Sequence, residues 1–314
     1  MDDSIKPQAA APAAARRQTI AVIINGGAGA GHDDQAASDL REKFAAAGCE
    51  AAITLARSGE QMISTAKQAL RDKVDAIVAG GGDGTINAVA SVVAGSNMPF
   101  GVLPLGTLNH FAKDIGVPLT LDDAVQNVAT GMVIAVDVGE VNGRIFLNNS
   151  GLGLYPDIVH DREKQQSRLG RGKWLAAMWA SVAALRRYPF LQLTLCIKGE
   201  NHQRSTPFVF IGNNEYSMAG LSIGERATLQ DGLLSVYVAQ RPGRLGLLRF
   251  GWRALFGKLA AERDFDAMLC DRFDITTHHK RLRVATDGEV TVMQTPLKYK
   301  IRPADLRVIV PVAK

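Results

Sequence analysis

The sequence predicts two domains, an α/β N-terminal domain on an open, mostly parallel sheet and a C-terminal antiparallel β-sandwich with helical insertions. Three observations lead there. Short β-branched runs alternate with stretches of helical apolar spacing as far as about residue 135, the pattern of strand–helix–strand units. Beyond Val136 the texture changes to successive strands separated by turn dipeptides. At 314 residues with 46% hydrophobic composition, the chain exceeds the usual single-domain length and supplies apolar surface for two cores.

Residues 1–17 are rich in Ala, with Pro7, Gln8 and Pro12 among them and Asp2 and Asp3 near the start; they lack the basic start and continuous apolar core of a signal peptide and read as a disordered tail. Strands are expected at 20–24, 51–55, 76–79 and 100–103, with helices at 34–47, 59–71 and 86–94. The α/β domain spans 18–135 and the sandwich 136–314, the last strand being free to return to the first domain. The second domain opens with a hairpin whose Asn142-Gly143 turn tolerates the positive φ of a type I′ turn. Further strands are expected at 191–197, 208–211, 233–239, 273–277, 282–286 and 297–301. Helical patterns at 175–187 and 245–261 interrupt them.

A formal charge of +5 suits anionic partners such as nucleotides or acidic headgroups. Without zinc-finger spacing or an aromatic-basic motif, nucleic acid has no support as a partner. Cys49, Cys196 and Cys270 are odd in number and free of CxxC spacing, which fits a reducing, cytoplasmic compartment rather than a disulfide framework or structural zinc site. The apolar stretch 174–185 is far short of the roughly 20 residues a membrane span needs, so no crossing is expected.

Chemistry concentrates where a strand ends and a helix begins. Gly80, Gly81, Gly82, Asp83, Gly84 and Thr85, with Asn87 one turn on, follow the apolar run 76–79. Successive glycines remove the Cβ atoms that would block a phosphate, and the helix N-terminus presents unpaired N–H groups and a positive dipole end. A lone glycine turn would be structural; this many matching positions in a strand–turn–helix setting argue an anion nest. No Lys follows the last glycine, so it is not a Walker A loop, and the spacing does not match GxGxxG.

The loop resembles the GGDGT signature shared by diacylglycerol kinases, sphingosine kinases and bacterial lipid kinases, and also found in NAD kinases. Three more segments carry the resemblance. Asn25-Gly26-Gly27-Ala28-Gly29 is similar to the nucleotide-contacting NPxSG loop, without its Pro. Pro104-Leu105-Gly106-Thr107-Leu108-Asn109-His110-Phe111-Ala112 is similar to PxGTxNDFA of the lipid kinases, with His110 where Asp is usual. Asp287-Gly288-Glu289 resembles the DGE element, although Asp-Gly is otherwise an ordinary hairpin turn. A fourth, Thr228 to Leu233, resembles the DDGxLDV region, with Ser235 in place of the second acidic residue.

The resemblance runs colinearly from Asn25 to Glu289 and implies an NAD kinase/diacylglycerol kinase-like fold with ATP and Mg²⁺ as cofactors. It implies that Asn25, Gly26, Gly27, Gly29, the 80–85 loop, Asn87, Thr107 and Asn109 bind the nucleotide. Asp83 would act through the ion on ATP, and Glu289 would be the general base toward a lipid hydroxyl. A divalent ion would take Asp231 and the carbonyls of Thr228 and Leu233, a donor set that suits Mg²⁺. His110 and Asp137 become candidate orienting or substrate-facing residues.

A lipid acceptor implies peripheral contact with the inner face of the membrane. Arg168, Arg171 and Lys173 ahead of Trp174 and Trp179, and a second stripe of Leu245, Leu248, Trp252, Phe256 and Leu259, have the basic-apolar layout for it, unless both stripes pack on the core. Nothing excludes a homodimer. Two alternatives stay open: an NAD kinase-like phosphotransferase on a soluble acceptor, and an inactive nucleotide- or lipid-binding homologue in which His110 and Ser235 mark lost chemistry.

Overall fold

The computed structural model describes residues 17–26, 34–153, 191–219, 222–226, 228–239 and 265–312. Strands β1 (Gln18–Asn25), β2 (Cys49–Ala56), β3 (Ala76–Gly81) and β4 (Phe100–Pro104) lie parallel in the order β2-β1-β3-β4. Every residue of β3 is buried and the middle of β1 is too, which is why both read as continuous apolar runs rather than alternating ones. Helices α1 (Asp34–Ala46), α2 (Gly59–Asp72) and α3 (Asp83–Val93) connect them. Local chemistry sets α2: the Ser58 hydroxyl accepts the Gln61 N–H at 3.2 Å at its start, and Lys73 ends it at φ 53°. The short α4 (His110–Asp114) and α5 (Leu121–Thr130) follow β4.

A turn at Asn142 (φ 48°) and Gly143 (φ 83°) joins β5 (Met132–Val141) to β6 (Arg144–Phe146) as the I′ expectation requires. Then come β7 (Asn149–Gly153), β8 (Leu191–Ile197), β9 (Glu200–Thr206), β10 (Phe208–Asn213), β11 (Tyr216–Ala219), β12 (Ser222–Arg226), β13 (Leu234–Ala239) and β14 (Phe265–Cys270). The chain continues through β15 (Arg272–Thr277), β16 (Arg281–Thr286), β17 (Glu289–Gln294) and β18 (Leu297–Val310). An antiparallel sheet in the order β14-β13-β10-β7-β16-β17 faces a layer that includes β5, β6, β8, β15 and the first half of β18. Between them Phe146, Leu195, Ile211, Val236, Val284 and Tyr299 form one buried core, with Phe273 stacked on Tyr299 at 4.9 Å.

β18 joins the two halves. Its first part pairs with β5 and β15, and after an irregularity between Arg302 and Leu306 its second part continues along β5 and reaches β4, with Val308 opposite Phe100. The expected strand 297–301 therefore continues past Pro303 and Ala304 (φ 52°), which make a bulge instead of an end. The expected boundary after residue 135 falls inside β5, which pairs with β18 on both sides of it. Strands 149–153, 200–206, 216–219, 222–226, 265–270 and 289–294 have no counterpart among the expected strands; the first holds two glycines, and 200–206 is a polar edge strand without alternation. The helical patterns at 175–187 and 245–261 and their basic-Trp stripes lie outside the described residues. Among the described residues no helix is long and apolar enough to cross a membrane.

Candidate active site

The glycine loop closes β3 and opens α3 at the C-terminal edge of the parallel sheet, where open α/β sheets bind ligands. Gly82 is the N-cap, in extended backbone, and no side chain caps the helix. The first-turn N–H groups are thus left for an anion. The glycines are required by crowding. A Cβ on Gly81 would lie 2.6 Å from the Thr85 side chain, and one on Gly80 would lie 3.1 Å from Ile24.

The loop after β4 presses directly on this nest. A Cβ on Gly106 would lie 2.4 Å from the Gly82 Cα, and the Leu105 N–H donates to the Gly81 carbonyl at 3.2 Å. Asn109 holds that loop from a left-handed conformation (φ 51°): its Oδ1 accepts the Gly106 N–H at 3.0 Å and its Nδ2 donates to the Gly106 carbonyl at 2.7 Å. Asp83 joins the two segments by accepting the Phe111 N–H at 3.2 Å. Thr85, Asn87 and Asn109 are buried, whereas Thr107 and His110 are exposed. The Asn87 Oδ1 is buried without a hydrogen-bond partner among the described residues. Asn25 and Gly26 end β1 beside the nest, with Ile24 opposite Gly80, while Gly27 and Gly29 lie outside the described residues.

From the sandwich side, the β16–β17 turn delivers Glu289 to the same place. Asp287 (φ 48°) and Gly288 (φ 86°) form the turn, and a Cβ on Gly84 would lie 3.3 Å from the Glu289 Oε1. The other oxygen, Oε2, accepts from Arg144 Nη2 at 2.5 Å, and Arg144 Nη1 donates to Thr291 at 2.8 Å. Asp287 is turned inward, where its carboxylate accepts the N–H groups of Leu147, Asn148 and Asn149 at 2.7, 2.8 and 3.0 Å. Burial pushes its pKa up to about 6, against the opposing pull of those three N–H groups and of Arg226.

The 228–233 loop sits on the sandwich and is held in shape by Asp137. That buried carboxylate accepts the Gly232 N–H at 2.7 Å, the Asn214 amide at 2.8 Å and the Ala304 N–H at 2.8 Å. Asp137 is thereby fully engaged in shaping the loop. Asp231 is exposed and forms no hydrogen bond with any other described residue, and the Leu233 carbonyl already accepts the Asn214 N–H at 3.0 Å. One free carboxylate with nearby carbonyls fits a hard cation that keeps several waters. Among the described residues no group of three or more His, Cys, Asp or Glu is placed to hold a metal by side chains alone. Ser235 points away, its hydroxyl donating to the Asn214 carbonyl at 2.6 Å. A cleft of about 570 Å³ borders Gly232, lined also by Glu140, Arg272, Lys298 and Lys300, and it does not include Glu289 or the glycine loop.

Arg226, with a fully buried side chain, connects these parts. It pairs with Asp114 of α4 at 2.5 Å, donates to the Leu147 carbonyl at 2.7 Å and to the Asn148 Oδ1 at 3.1 Å, and lies 5.4 Å from the Tyr216 ring centroid. Helix α4, the loop that Asp287 holds and the strand leading into residue 228 thus share one guanidinium. Neither Arg226, Asp114 nor Arg144 is marked in the sequence by a motif of its own; only their convergence in space singles them out.

Known proteins agree with this architecture. The diacylglycerol kinase catalytic domain profile matches residues 19–141, and the YegS C-terminal NAD kinase β-sandwich-like domain profile matches residues 156–310. The "Probable lipid kinase YegS-like" protein of Klebsiella pneumoniae (strain 342) is 32% identical over 254 residues, 78% of this chain and 80% of that relative. "Probable lipid kinase YegS" of Escherichia coli (strain SMS-3-5 / SECEC) is 32% identical over 250 residues, 76% and 79% of the two chains. A crystal structure of a diacylglycerol kinase from Bacillus anthracis str. Sterne shares the fold, with a TM-score of 0.69 at 21% identity over 93% of this chain and 97% of that one. With both domain profiles in sequence order and relatives of this identity across most of its length, the chain belongs to the YegS-like, diacylglycerol kinase-type lipid kinases and is a phosphotransferase with a lipid hydroxyl as acceptor.

Proposed function

We propose that the chain transfers the γ-phosphoryl group of ATP to the hydroxyl of diacylglycerol or a related lipid, such as sphingosine, ceramide or phosphatidylglycerol, with Glu289 as general base. The observation that carries this reading is the approach of the Glu289 Oε1 to Gly84 in the first turn of α3, which sets a carboxylate beside an open anion nest. Phosphoryl transfer asks the protein chiefly for alignment and charge stabilisation. The N–H groups of the 81–85 segment hold phosphate oxygens. The lipid hydroxyl attacks the γ-phosphorus as the bond to the β-bridging oxygen breaks, ADP leaves, and the hydroxyl proton passes to Glu289. Asp83, half-buried and with one oxygen on Phe111, keeps its other oxygen for the nucleotide side.

Mg²⁺ would be held by Asp231 with the Thr228 and Leu233 carbonyls, and through ATP near Asp83, where it offsets phosphate charge. His110, exposed at the start of α4 next to the Asp83–Phe111 bond, is a candidate orienting or substrate residue. The acceptor reaches the site from the inner membrane face, with the enzyme bound peripherally. Incubation with γ-labelled ATP and a panel of dispersed lipids should give labelled phospholipid, and Glu289→Gln should reduce it to a small residual rate while ATP still binds. Label appearing only in NAD would reject the lipid reading. Full turnover by the Gln variant would remove Glu289 from the role of base.

A further inference from the structure

A base that moves a proton in the transition state must present one particular oxygen along one line. Glu289 is poorly placed to do so unaided. It opens an edge strand with 57% of its side chain exposed. Left to solvent it would sample many rotamers, and holding a long acidic side chain still has an entropic cost.

We propose that Arg144 is the positioning residue for Glu289, holding Oε2 so that Oε1 is the oxygen presented to the first turn of α3. This rests on the reading of Glu289 as base. The guanidinium is pinned at two points of one strand face, since Glu289 and Thr291 are two residues apart on β17. Its own strand is fixed against β17 at both ends. At one end, Asn142 in the β5–β6 turn donates to the Gln294 carbonyl at 3.0 Å and accepts the Lys298 N–H at 2.8 Å. At the other, Asp287 accepts the N–H groups that follow β6. The planar fork of Arg fits this double contact in a way that the single point charge of Lys does not.

Stability gives no competing reason for the pair. Arg144 and Glu289 are 34% and 57% exposed, and ion pairs of that kind contribute little to stability. Variants at Arg144 should therefore fold normally, which separates positioning from scaffolding.

The test is steady-state kinetics on the full chain with ATP and the best lipid of the panel. Arg144→Gln should lower kcat roughly 10- to 100-fold, the scale of an ångström-level misplacement, with the KM for ATP and the Tm unchanged. Arg144→Lys should recover part of the loss, and Thr291→Val should show a smaller loss than Arg144→Gln. In a Glu289→Gln background, Arg144→Gln should produce no further loss of the residual rate, because the two groups act as a unit. A wild-type kcat for Arg144→Gln beside an inactive Glu289→Gln would overturn the proposal and leave the base intact. So would a raised KM for ATP at constant kcat, which is the signature of a phosphate contact, or additive losses in the double variant. An active Glu289→Gln would remove both the base and its positioning residue.

Discussion

Gly106→Ala tests how tightly the two loops of the nucleotide side are coupled. The backbone at Gly106 does not lie at positive φ, so the methyl group meets a purely steric problem. Its Cβ would fall 2.4 Å from the Gly82 Cα, 3.0 Å from the Gly82 nitrogen and 2.9 Å from the Asn109 Oδ1. Carbon contacts settle at about 3.5–4.0 Å, so the loop after β4 and the glycine nest must part by about 1 Å or more. Overpacking of this size costs about 1–3 kcal/mol, and each kcal/mol lowers Tm by roughly 2–4 °C in chains of about 150–250 residues. The same displacement moves Asp83 relative to Phe111, and a shift of about 1 Å in a phosphate site lowers kcat/KM for ATP by about 100-fold. Thermal unfolding followed by circular dichroism and initial rates against ATP read both effects. Gly59→Ala is the control, because nothing lies within 4 Å of its Cβ and its φ is not positive. Wild-type Tm and ATP kinetics in Gly106→Ala would refute the claim that the two loops are in contact.

Arg226→Met should destabilise the chain by about 3–5 kcal/mol in urea unfolding, because Asp114, at 14% exposure, loses its counter-charge inside the structure. Asp114→Asn combined with it should recover part of that loss, and a change under about 1 kcal/mol for Arg226→Met would contradict the buried pairing. Asp287 makes a pH prediction. Its folded pKa is raised from 3.8 to about 6, so its contribution to stability is fully present below about 4 and is lost as the pH rises through about 6. The displacement corresponds to roughly 3 kcal/mol. Urea unfolding of wild type minus Asp287→Asn across this window should show that slope, and parallel curves would refute it.

Where local sequence and tertiary demand coincide, the chain is legible without coordinates. The runs at 20–24 and 76–79 are strands because only a strand buried on both faces tolerates uninterrupted Ala, Val and Ile next to glycine turns. The Asn142-Gly143 and Asp287-Gly288 dipeptides are turns because both positions take positive φ. The glycine nest is legible for a similar local reason, since it must lack Cβ atoms, whereas Glu289 is singled out in the sequence only by the resemblance of Asp287-Gly288-Glu289 to a kinase element. Strand 149–153 is hidden because its glycines carry no alternation and its pairing partners lie far away in the chain, and strand 200–206 because it is a polar edge strand, although it pairs with the adjacent strand 191–197 across the Lys198-Gly199 turn.

The sequence by itself thus determined the two-domain pattern and the glycine turn at 80–85, which depend on residue types within a few positions of one another, and the kinase family, which depends on the order of several motifs from Asn25 to Glu289. Only the tertiary structure decided that Gly106 abuts Gly82, that Asp137 is occupied in shaping the 228–233 loop, and that Arg226 ties α4 to the sandwich. It also set the Glu289 Oε1 beside Gly84 with Oε2 on Arg144, a contact 145 residues apart in the chain. Such contacts join segments whose spacing carries no periodic signal, and the long β18, paired with strands of both domains, is what brings them to one edge of the sheet.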